Sequence, residues 1–390
     1  MTSRYDSLGV SANKNEVHKA ISKLSKGLYP NAFCKILEDI VTQDKEYCNI
    51  MHADTAGTKT SLAYLAYQET GDLSVWKGIS QDAIVMNIDD LACVGCVDNI
   101  ILSSTIGRNK SLIPAEIINE IISANQSFID KLKEYQINII SGGGETADVG
   151  DIVRTIDVGI TAFARMKRED LIINNIQAGA VIVGFSSSGQ ASYEDEYNSG
   201  IGSNGLTAAR HDVLTKIYAS QYPESFSPEL NPEVVFTGTK KLTDTVKYDG
   251  KEYLVYKLLC SPTRTYLPVI SKILQSHKKS IQGIIHCSGG AQTKVLKFVK
   301  NVKIIKDNLF DLPPVFQLIK SEMKYSLKEL YSIYNMGHRL EMYVNPESVE
   351  SIINISKSFH IDAKIIGRVE SSDKTEVCIE NQGEIFHYHE

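Results

Sequence analysis

Three short acidic segments carry residue types that can bind a divalent cation and a phosphate chain. The first is Asp54–Lys59, which follows a predicted strand over 46–54 and contains Gly57, Thr58 and Lys59. A carboxylate can ligate Mg²⁺, backbone amides can face a phosphate, and a lysine can offset its charge. The segment lacks the spacing of a Walker A loop. The alternative interpretation is a helix-entry turn in which Asp54 acts as a cap.

The second segment lies on a helix predicted over 78–94, where Ile84, Ile88 and Leu91 repeat at helical spacing. It carries three acids, Asp82, Asp89 and Asp90. Asp82 and Asp89 share one face about two turns apart, and Asp90 lies one step round. Carboxylates among apolar neighbours repel each other, and a divalent cation would resolve that conflict. The alternative is that this face of the helix is simply solvated.

The third segment follows a predicted strand over 137–141 and begins with consecutive glycines. It includes Gly143, Gly144, Glu145, Thr146 and Asp148. Glycines let a backbone approach a phosphate closely, and the acids would add hard oxygen ligands suited to Mg²⁺. The alternative is a plain connection built of small residues. Together the three segments predict a metal–polyphosphate site at the ends of strands.

Two further motifs carry weaker signals. His286 ends a predicted strand and is followed by Cys-Ser-Gly-Gly, whose amides could hold an anion. A lone histidine is more often structural, and only the adjoining residues favour a functional role. Cys93 and Cys96 have the spacing of a metal or redox pair, but no second pair completes a zinc set, so we interpret them as core thiols.

The elements that must position these residues form an α+β pattern in two domains. Residues 1–168 follow the order β-α-β-α-β-β, closest to a split βαβ, ferredoxin-like unit. The charged segment Lys167–Asp170 predicts a linker, and 169–390 predicts a second, α/β domain. Residues 221–250 are rich in Pro, Ser, Thr and Asp and predict an insertion on the surface.

Composition excludes several classes of function. The 390 residues are 43% hydrophobic and 23% charged, with a formal net charge of −6 and no basic block. Binding to nucleic acid or to an anionic membrane surface is therefore not expected. Seven scattered cysteines do not make a disulfide framework, and the longest apolar runs are strand-sized. No signal peptide is visible, so we expect a cytoplasmic protein.

Taken in order along the chain, these segments resemble the phosphoribosylformylglycinamidine cyclo-ligases, also called aminoimidazole ribonucleotide synthetases. The family's Asp-Gly-Val-Gly-Thr-Lys resembles 54–59, with Thr55 and Ala56 departing. Its other motifs resemble Asp89-Asp90-Leu91, Gly143–Asp148, Ser203-Asn204-Gly205, Pro262–Tyr266, the His286–Ala291 segment and Asn335-Met336-Gly337.

The resemblance implies an ATP- and Mg²⁺-dependent ring closure of formylglycinamidine ribonucleotide, giving aminoimidazole ribonucleotide, ADP and phosphate. It also implies a homodimer in which the first domains pair into a shared β-barrel. It implies Mg²⁺ ligation by Asp54, Asp90 and Glu145, with Asp82 and Asp89 as alternates. It implies that Lys59 neutralises phosphate charge and that His286 handles a proton or orients the substrate. It also implies that Ser203, Asn204 and Gly205 contact the substrate phosphate or the nucleotide.

The chain also departs from the family's pattern. The family's histidine just before Ser-Asn-Gly is Gly202 here, and the second glycine after Asn-Met-Gly is Arg339. An acidic insertion, 193–197, precedes Gly202, and Asn31–Lys35 replaces a Gly-rich segment. The alternatives are therefore another ATP-using relative, of the thiamine-phosphate kinase or selenide dikinase type, or a non-catalytic nucleotide-binding protein.

Overall fold

The computed structural model describes residues 4–11, 15–323 and 325–389. Within them the strands are β1 Ile36–Glu38, β2 Tyr47–Thr55, β3 Ile100–Arg108, β4 Ile139–Asp148, β5 Ile156–Lys167, β6 Val181–Ser186, β7 Thr245–Tyr248, β8 Lys251–Leu254, β9 Ile281–His286, β10 Val302–Lys306, β11 His338–Val344, β12 Ala363–Ser371, β13 Glu376–Asn381 and β14 Glu384–His389. The helices are α1 Arg4–Ser7, α2 Asn15–Ile21, α3 Lys59–Thr70, α4 Val75–Ala92, α5 Ala115–Lys133, α6 Leu206–Val213, α7 Ile217–Gln221, α8 Val255–Leu259, α9 Leu267–His277, α10 Pro314–Glu322, α11 Leu327–Ile333 and α12 Val349–Ser358.

The first domain is built on a five-stranded sheet in the order β1-β2-β5-β3-β4. β3 and β4 are parallel, and the other neighbouring pairs are antiparallel. The mixed α+β class is confirmed, with the short strand β1 and the helix α3 added to the predicted elements. α4 and α5 cover one face of this sheet, where alternate strand residues such as Val158 and Ala162 are buried. The opposite face is open.

Helix α4 is the central element of the molecule. It packs against β2, β5 and α5 on one side and against α9 of the second domain on the other. It begins at Val75, three residues before the predicted start. Asp82, Asp89 and Asp90 are all buried, so the alternative of a solvated acidic face is wrong. The reason is that other elements of the chain pack against both sides of α4.

The glycines of the third acidic segment lie inside β4, which continues to Asp148. The expectation that the strand ends before these glycines is therefore wrong. Gly144 pairs with Ser104 of β3, and a Cβ at Gly144 would lie 2.3 Å from the Ser104 carbonyl oxygen. The glycine is required there because two strands approach closely.

The second domain contains a seven-stranded sheet in the order β14-β13-β10-β12-β6-β11-β9. Every residue of β11 is buried, and its flanking strands β6 and β9 pair with it in antiparallel register. The prediction of a surface insertion over 221–250 is wrong in part, because Phe236 and Leu242 are fully buried. The ring of Phe236 packs against His211.

The cysteines contribute to the core. All seven are free and buried, including Cys93 and Cys96, which confirms their interpretation as core thiols. Among the residues that the structure describes, no helix is long and apolar enough to cross a membrane.

Candidate active site at the junction of the two sheets

A carboxylate between two imidazoles lies where the two domains meet. Asp90 of α4 contacts His286 at the end of β9, with 2.6 Å between Oδ1 and Nδ1. Its second oxygen lies 3.3 Å from Nε2 of His52 on β2. Nδ1 of His52 lies 2.9 Å from the side-chain oxygen of Asn87, one turn earlier on α4. Elements of both sheets and the central helix thus meet at one acid.

This arrangement sets the charge of the cluster. Burial alone would raise the pKa of Asp90, but the hydrogen bonds from His286 and His52 lower it below its usual value. Burial opposes protonation of His52, but its contacts with Asp90 raise its pKa. Asp90 is therefore an anion at neutral pH, held in a fixed position between two rings.

The environment of His286 is compatible with the role in proton handling or substrate orientation, which stays a prediction. Its Nδ1 is committed to Asp90, and its Nε2 is buried without a hydrogen-bond partner among the described residues. A carboxylate that accepts from Nδ1–H leaves Nε2 of a neutral imidazole as a proton acceptor. The lone-histidine signal alone could not show this, because Asp90 is distant in sequence.

Three loops predicted to bind phosphate meet beside this cluster. The Thr58 hydroxyl lies 2.8 Å from that of Thr207, the second residue of α6. A Cβ at Gly57 would lie 4.0 Å from the Ser203 carbonyl oxygen, and one at Gly289 would lie 4.0 Å from the Asn204 amide nitrogen. The structure thus brings the segments 54–59, 203–205 and 286–290 together.

Lys294 adds a positive charge that no sequence motif indicated. Its ammonium group donates to the Ser288 hydroxyl at 3.2 Å and lies 5.1 Å from the centre of the Phe33 ring. It contributes to the low pKa of Asp90. The only sequence signal was its position four residues after Gly290, in the 3₁₀ turn Ala291–Phe298 that follows the Ser-Gly-Gly motif.

Lys59 does not face a ligand. Its ammonium group is fully buried, lies 2.9 Å from Asp82 Oδ1 and donates to the Ser261 carbonyl. The same Asp82 oxygen accepts from the Thr263 amide at 2.7 Å. The expectations that Lys59 neutralises a phosphate and that Asp82 ligates a metal are therefore wrong for this structure, because the two charges neutralise each other. Burial raises the pKa of Asp82 and lowers that of Lys59.

Asp89 likewise joins the two domains. It accepts from the Thr265 hydroxyl at 2.5 Å and from the Tyr266 amide at 3.0 Å. Burial raises its pKa, and these bonds act in the other direction. Asp89 is not available to a metal, which corrects its assignment as an alternate ligand. Asp82 and Asp89 therefore both hold the Pro-Thr-Arg-x-Tyr segment in place.

Asp54 and Glu145 lie far apart within one chain. Asp54 is half-buried, two residues after His52 on the same face of β2, and it pairs in register with Ile160. Glu145 is exposed on β4 and pairs with Thr105, which belongs to the opposite, open face. β5 and β3 separate β2 from β4, a distance of about 14 Å.

The predicted trio of metal ligands is therefore not assembled. Asp90 is occupied by two imidazoles, and Glu145 lies on the other face from Asp54. Among the described residues, the group whose donor atoms lie close enough for one ion is Cys287, His338 and Glu341, which contains none of the predicted acids. One chain by itself does not fit the Mg²⁺ site that the sequence predicted.

Comparison with known proteins defines the class. Residues 34–166 match the family model described as "AIR synthase related protein, N-terminal domain". A phosphoribosylformylglycinamidine cyclo-ligase of Methanocaldococcus jannaschii is 28% identical over 331 residues, covering 84% of this chain and 79% of that protein. The enzyme of the same name from Saccharolobus solfataricus is 25% identical over 359 residues, covering 90% and 89%.

Solved structures share the fold. T. maritima PurL complexed with FGAR has a TM-score of 0.56 at 11% identity and covers 98% of this chain. This chain spans about half (51%) of that PurL chain. A chain of the HypE–HypF complex has a TM-score of 0.52 at 13% identity, with 95% and 98% coverage.

These matches place the chain among proteins with an AIR synthase related N-terminal domain followed by a second α+β domain. The Methanocaldococcus jannaschii and Saccharolobus solfataricus proteins, which both match most of the chain, bear the name of a cyclo-ligase. The chain is thus similar to phosphoribosylformylglycinamidine cyclo-ligases along most of its length, and its residues 34–166 match an AIR synthase related N-terminal domain.

Proposed function

We propose that this protein catalyses the ATP-dependent cyclisation of formylglycinamidine ribonucleotide to 5-aminoimidazole ribonucleotide, with release of ADP and phosphate. The observation that carries the proposal is the meeting of five separate motif segments at one junction, in a chain whose curated relatives along 84% of its length bear the cyclo-ligase name. These segments are 54–59, 82–90, 203–205, 262–266 and 286–290.

The chemistry requires activation of a poor leaving group. ATP transfers its γ-phosphoryl group to the formyl oxygen of the substrate, giving an iminophosphate and ADP. The amidine nitrogen then attacks the same carbon, loses a proton, and expels the oxygen as inorganic phosphate. Catalysis of such steps rests mainly on positioning and on stabilising charge around the phosphoryl group.

His286 and Asp90 supply the proton transfer in this proposal. Nε2 of His286 takes the proton that the attacking nitrogen loses, and Asp90 orients the ring and stabilises the imidazolium that results. His52 holds the second oxygen of Asp90 and so fixes the carboxylate between the two rings. The pairing of acid and histidine supports this role because Nε2 has no other partner among the described residues.

Nucleotide binding is assigned to the loops beside the cluster. T. maritima PurL, which shares the fold, has been solved with ATP and with ADP. In this chain Gly57, Thr58 and the Ser203–Gly205 segment would face the phosphates with backbone amides and hydroxyls. Mg²⁺ would enter with the nucleotide, and Asp54 is the predicted carboxylate that remains half-exposed beside these loops.

We propose that the protein is a homodimer through the open face of its first sheet. Met51, Phe163, Ile101 and Ile140 pair in register across β2, β5, β3 and β4 and form one apolar row. Met51 is 60% exposed, Ile101 44% and Ile140 53%. A row of this kind on a monomer is a candidate interface. Glu145 lies on the same face, so a second copy would cover it.

The test is incubation of the purified protein with Mg-ATP and formylglycinamidine ribonucleotide. We expect ADP, phosphate and aminoimidazole ribonucleotide in equal amounts, and at least a 100-fold lower rate for His286→Ala. ADP formed only with thiamine phosphate or selenide would identify one of the other ATP-using types. No ADP above background with any of the three would leave the non-catalytic alternative.

A further inference from the structure

Arg339 is a buried cation at the same junction whose donors are only partly used. It lies on β11 and is 2% exposed. Its Nη2 donates to the Arg264 carbonyl and lies 3.8 Å from an oxygen of Asp89. The guanidinium carbon lies 5.5 Å from the centre of the Tyr266 ring. These contacts hold one end of the guanidinium group in place.

The other nitrogens of the group, Nε and Nη1, have no hydrogen-bond partner among the described residues. An unpaired buried donor is unfavourable, and more so on a charged group. A guanidinium group is always charged at physiological pH and matches the oxygens of a phosphoryl group. The unused donors of Arg339 therefore point to an oxyanion as the missing partner.

Gly202 lies directly against the guanidinium group of Arg339. A Cβ at this position would lie 3.3 Å from Nη1 of Arg339 and 3.6 Å from its Cδ. The same Cβ would lie 4.0 Å from the Asn335 amide nitrogen, so a second polar group borders this position. The next residue, Ser203, is half-buried, and its hydroxyl lies 3.1 Å from that of Thr263.

The two positions at which the chain departs from the cyclo-ligase pattern, Gly202 and Arg339, are thus in contact with each other. The pattern has a histidine where this chain has Gly202 and a glycine where it has Arg339, and the structure brings these two positions together. A side chain at 202 and the arginine compete for the same volume. With glycine at 202 and arginine at 339, the nitrogen donor at this place comes from β11 and not from the loop that contains residue 202.

We propose that Arg339, with Gly202 as the residue that makes room for it, forms a phosphoryl-binding subsite at the domain junction. The source of the phosphoryl group, ATP or the ribonucleotide substrate, follows from the proposed function. The binding chemistry is the same for both: Nε and Nη1 donate to phosphoryl oxygens, while Nη2 stays on the Arg264 carbonyl. In this proposal Arg339 is a binding residue supplied by β11.

Calorimetric titration of the full chain with inorganic phosphate, Mg-ADP and ribose 5-phosphate tests the subsite and separates its sources. We expect Arg339→Met to weaken binding of phosphate and of one of the two organic probes at least tenfold. The matched control Arg368→Met removes an exposed guanidinium from β12 and should bind all three unchanged. Wild-type affinity of Arg339→Met for all three probes would overturn the proposal.

Exchanging the residues at positions 202 and 339 provides a second test, which does not depend on the folding of a single variant. Gly202→His should clash with Arg339, and Arg339→Gly should leave the subsite without its cation, so each should lose phosphate affinity at least tenfold. The double variant should regain most of it, since histidine tolerates the left-handed backbone (φ 70°) of this position better than most residues. Additive losses in the double variant would contradict the exchange.

Arg339→Lys separates a binding role from a merely structural one. Lysine keeps the charge but lacks the fork of donors, so we expect an unchanged melting temperature with at least threefold weaker phosphate binding. A lowered melting temperature with unchanged binding would show a structural role only. Binding that depends on Arg339 in a protein that forms no aminoimidazole ribonucleotide would refute the proposed function but not the subsite.

Discussion

Asp90 is the residue on which the account of the site depends, because it joins His286 and His52 across the two domains. Its neighbours Asp82 and Asp89 share its helix and its burial but are committed to the 262–266 segment. The structure therefore divides three similar acids into one that contacts two histidines and two that contact the 262–266 segment. That division is set by tertiary partners rather than by residue type.

Asp90→Asn should lower the turnover number about 100-fold, because the amide no longer stabilises the imidazolium of His286. Steady-state assays of product formation measure it, with exposed Asp130→Asn on α5 as the matched control. A turnover number within twofold of the wild type would show that Asp90 does not serve the reaction.

His52 should make stability depend on pH. Its pKa is raised in the folded protein, so its contribution is complete below its unfolded pKa of about 6.5 and is lost as pH rises through the higher folded value. The difference in free energy of unfolding between the wild type and His52→Gln should therefore shrink from pH 5.5 to 8.5. Urea titrations across this range measure it, and a constant difference would contradict the assignment.

At the scale of elements, a buried ion pair connects α3 with α4, and both of its charged groups also bond to the backbone of the second domain. Lys59 begins α3, and Asp82 lies in the middle of α4; their contact also fixes the Ser261 carbonyl and the Thr263 amide. The turn 54–59 therefore has two parts. Gly57 and Thr58 face the loop of Ser203, while Lys59 points into the core.

Asp82→Ala should lower the free energy of unfolding by about 3–5 kcal/mol, because it leaves the Lys59 ammonium buried without its counter-ion. The double variant Lys59→Met/Asp82→Leu removes both charges and should cost clearly less. Urea unfolding of the four proteins measures the coupling. A higher KM for ATP in Lys59→Met with unchanged stability would instead restore the phosphate role that the sequence suggested.

The sequence was sufficient for most elements of the first domain, though not for β1 and α3, and it did not show the environment of each motif. Local pattern predicted the α+β class and the helix around Ile84–Leu91. It could not show that Gly144 lies within a paired strand rather than a loop, because the reason is contact with Ser104 of β3. Nor could it show which acid of α4 meets a lysine, since Lys59 and Asp82 are brought together only by packing.

At the scale of the whole molecule, the open face of the first sheet remains to be covered. The apolar row of Met51, Phe163, Ile101 and Ile140 runs across four strands. The periodicity of each strand's own sequence therefore could not reveal it. The same face carries Glu145, which one chain does not bring to Asp54. Dimerisation would therefore account for both observations.

Met51→Lys/Ile101→Lys should convert the protein to a monomer, since two buried charges in an apolar interface are strongly unfavourable. Light scattering coupled to size exclusion should give twice the 43.2 kDa chain mass for the wild type and a single chain for the variant. Ile365→Lys, an exposed isoleucine on β12, is the control. A monomeric wild type would refute the homodimer.

The central claim is that this junction activates an amide oxygen by phosphoryl transfer before closing the ring. The direct test uses substrate labelled with ¹⁸O in its formyl group. The labelled substrate is turned over with ATP, and the phosphate that is formed is examined by mass spectrometry. The account predicts one ¹⁸O atom in each phosphate formed together with aminoimidazole ribonucleotide. Unlabelled phosphate would mean that ATP is hydrolysed by water instead, and would contradict the proposed chemistry.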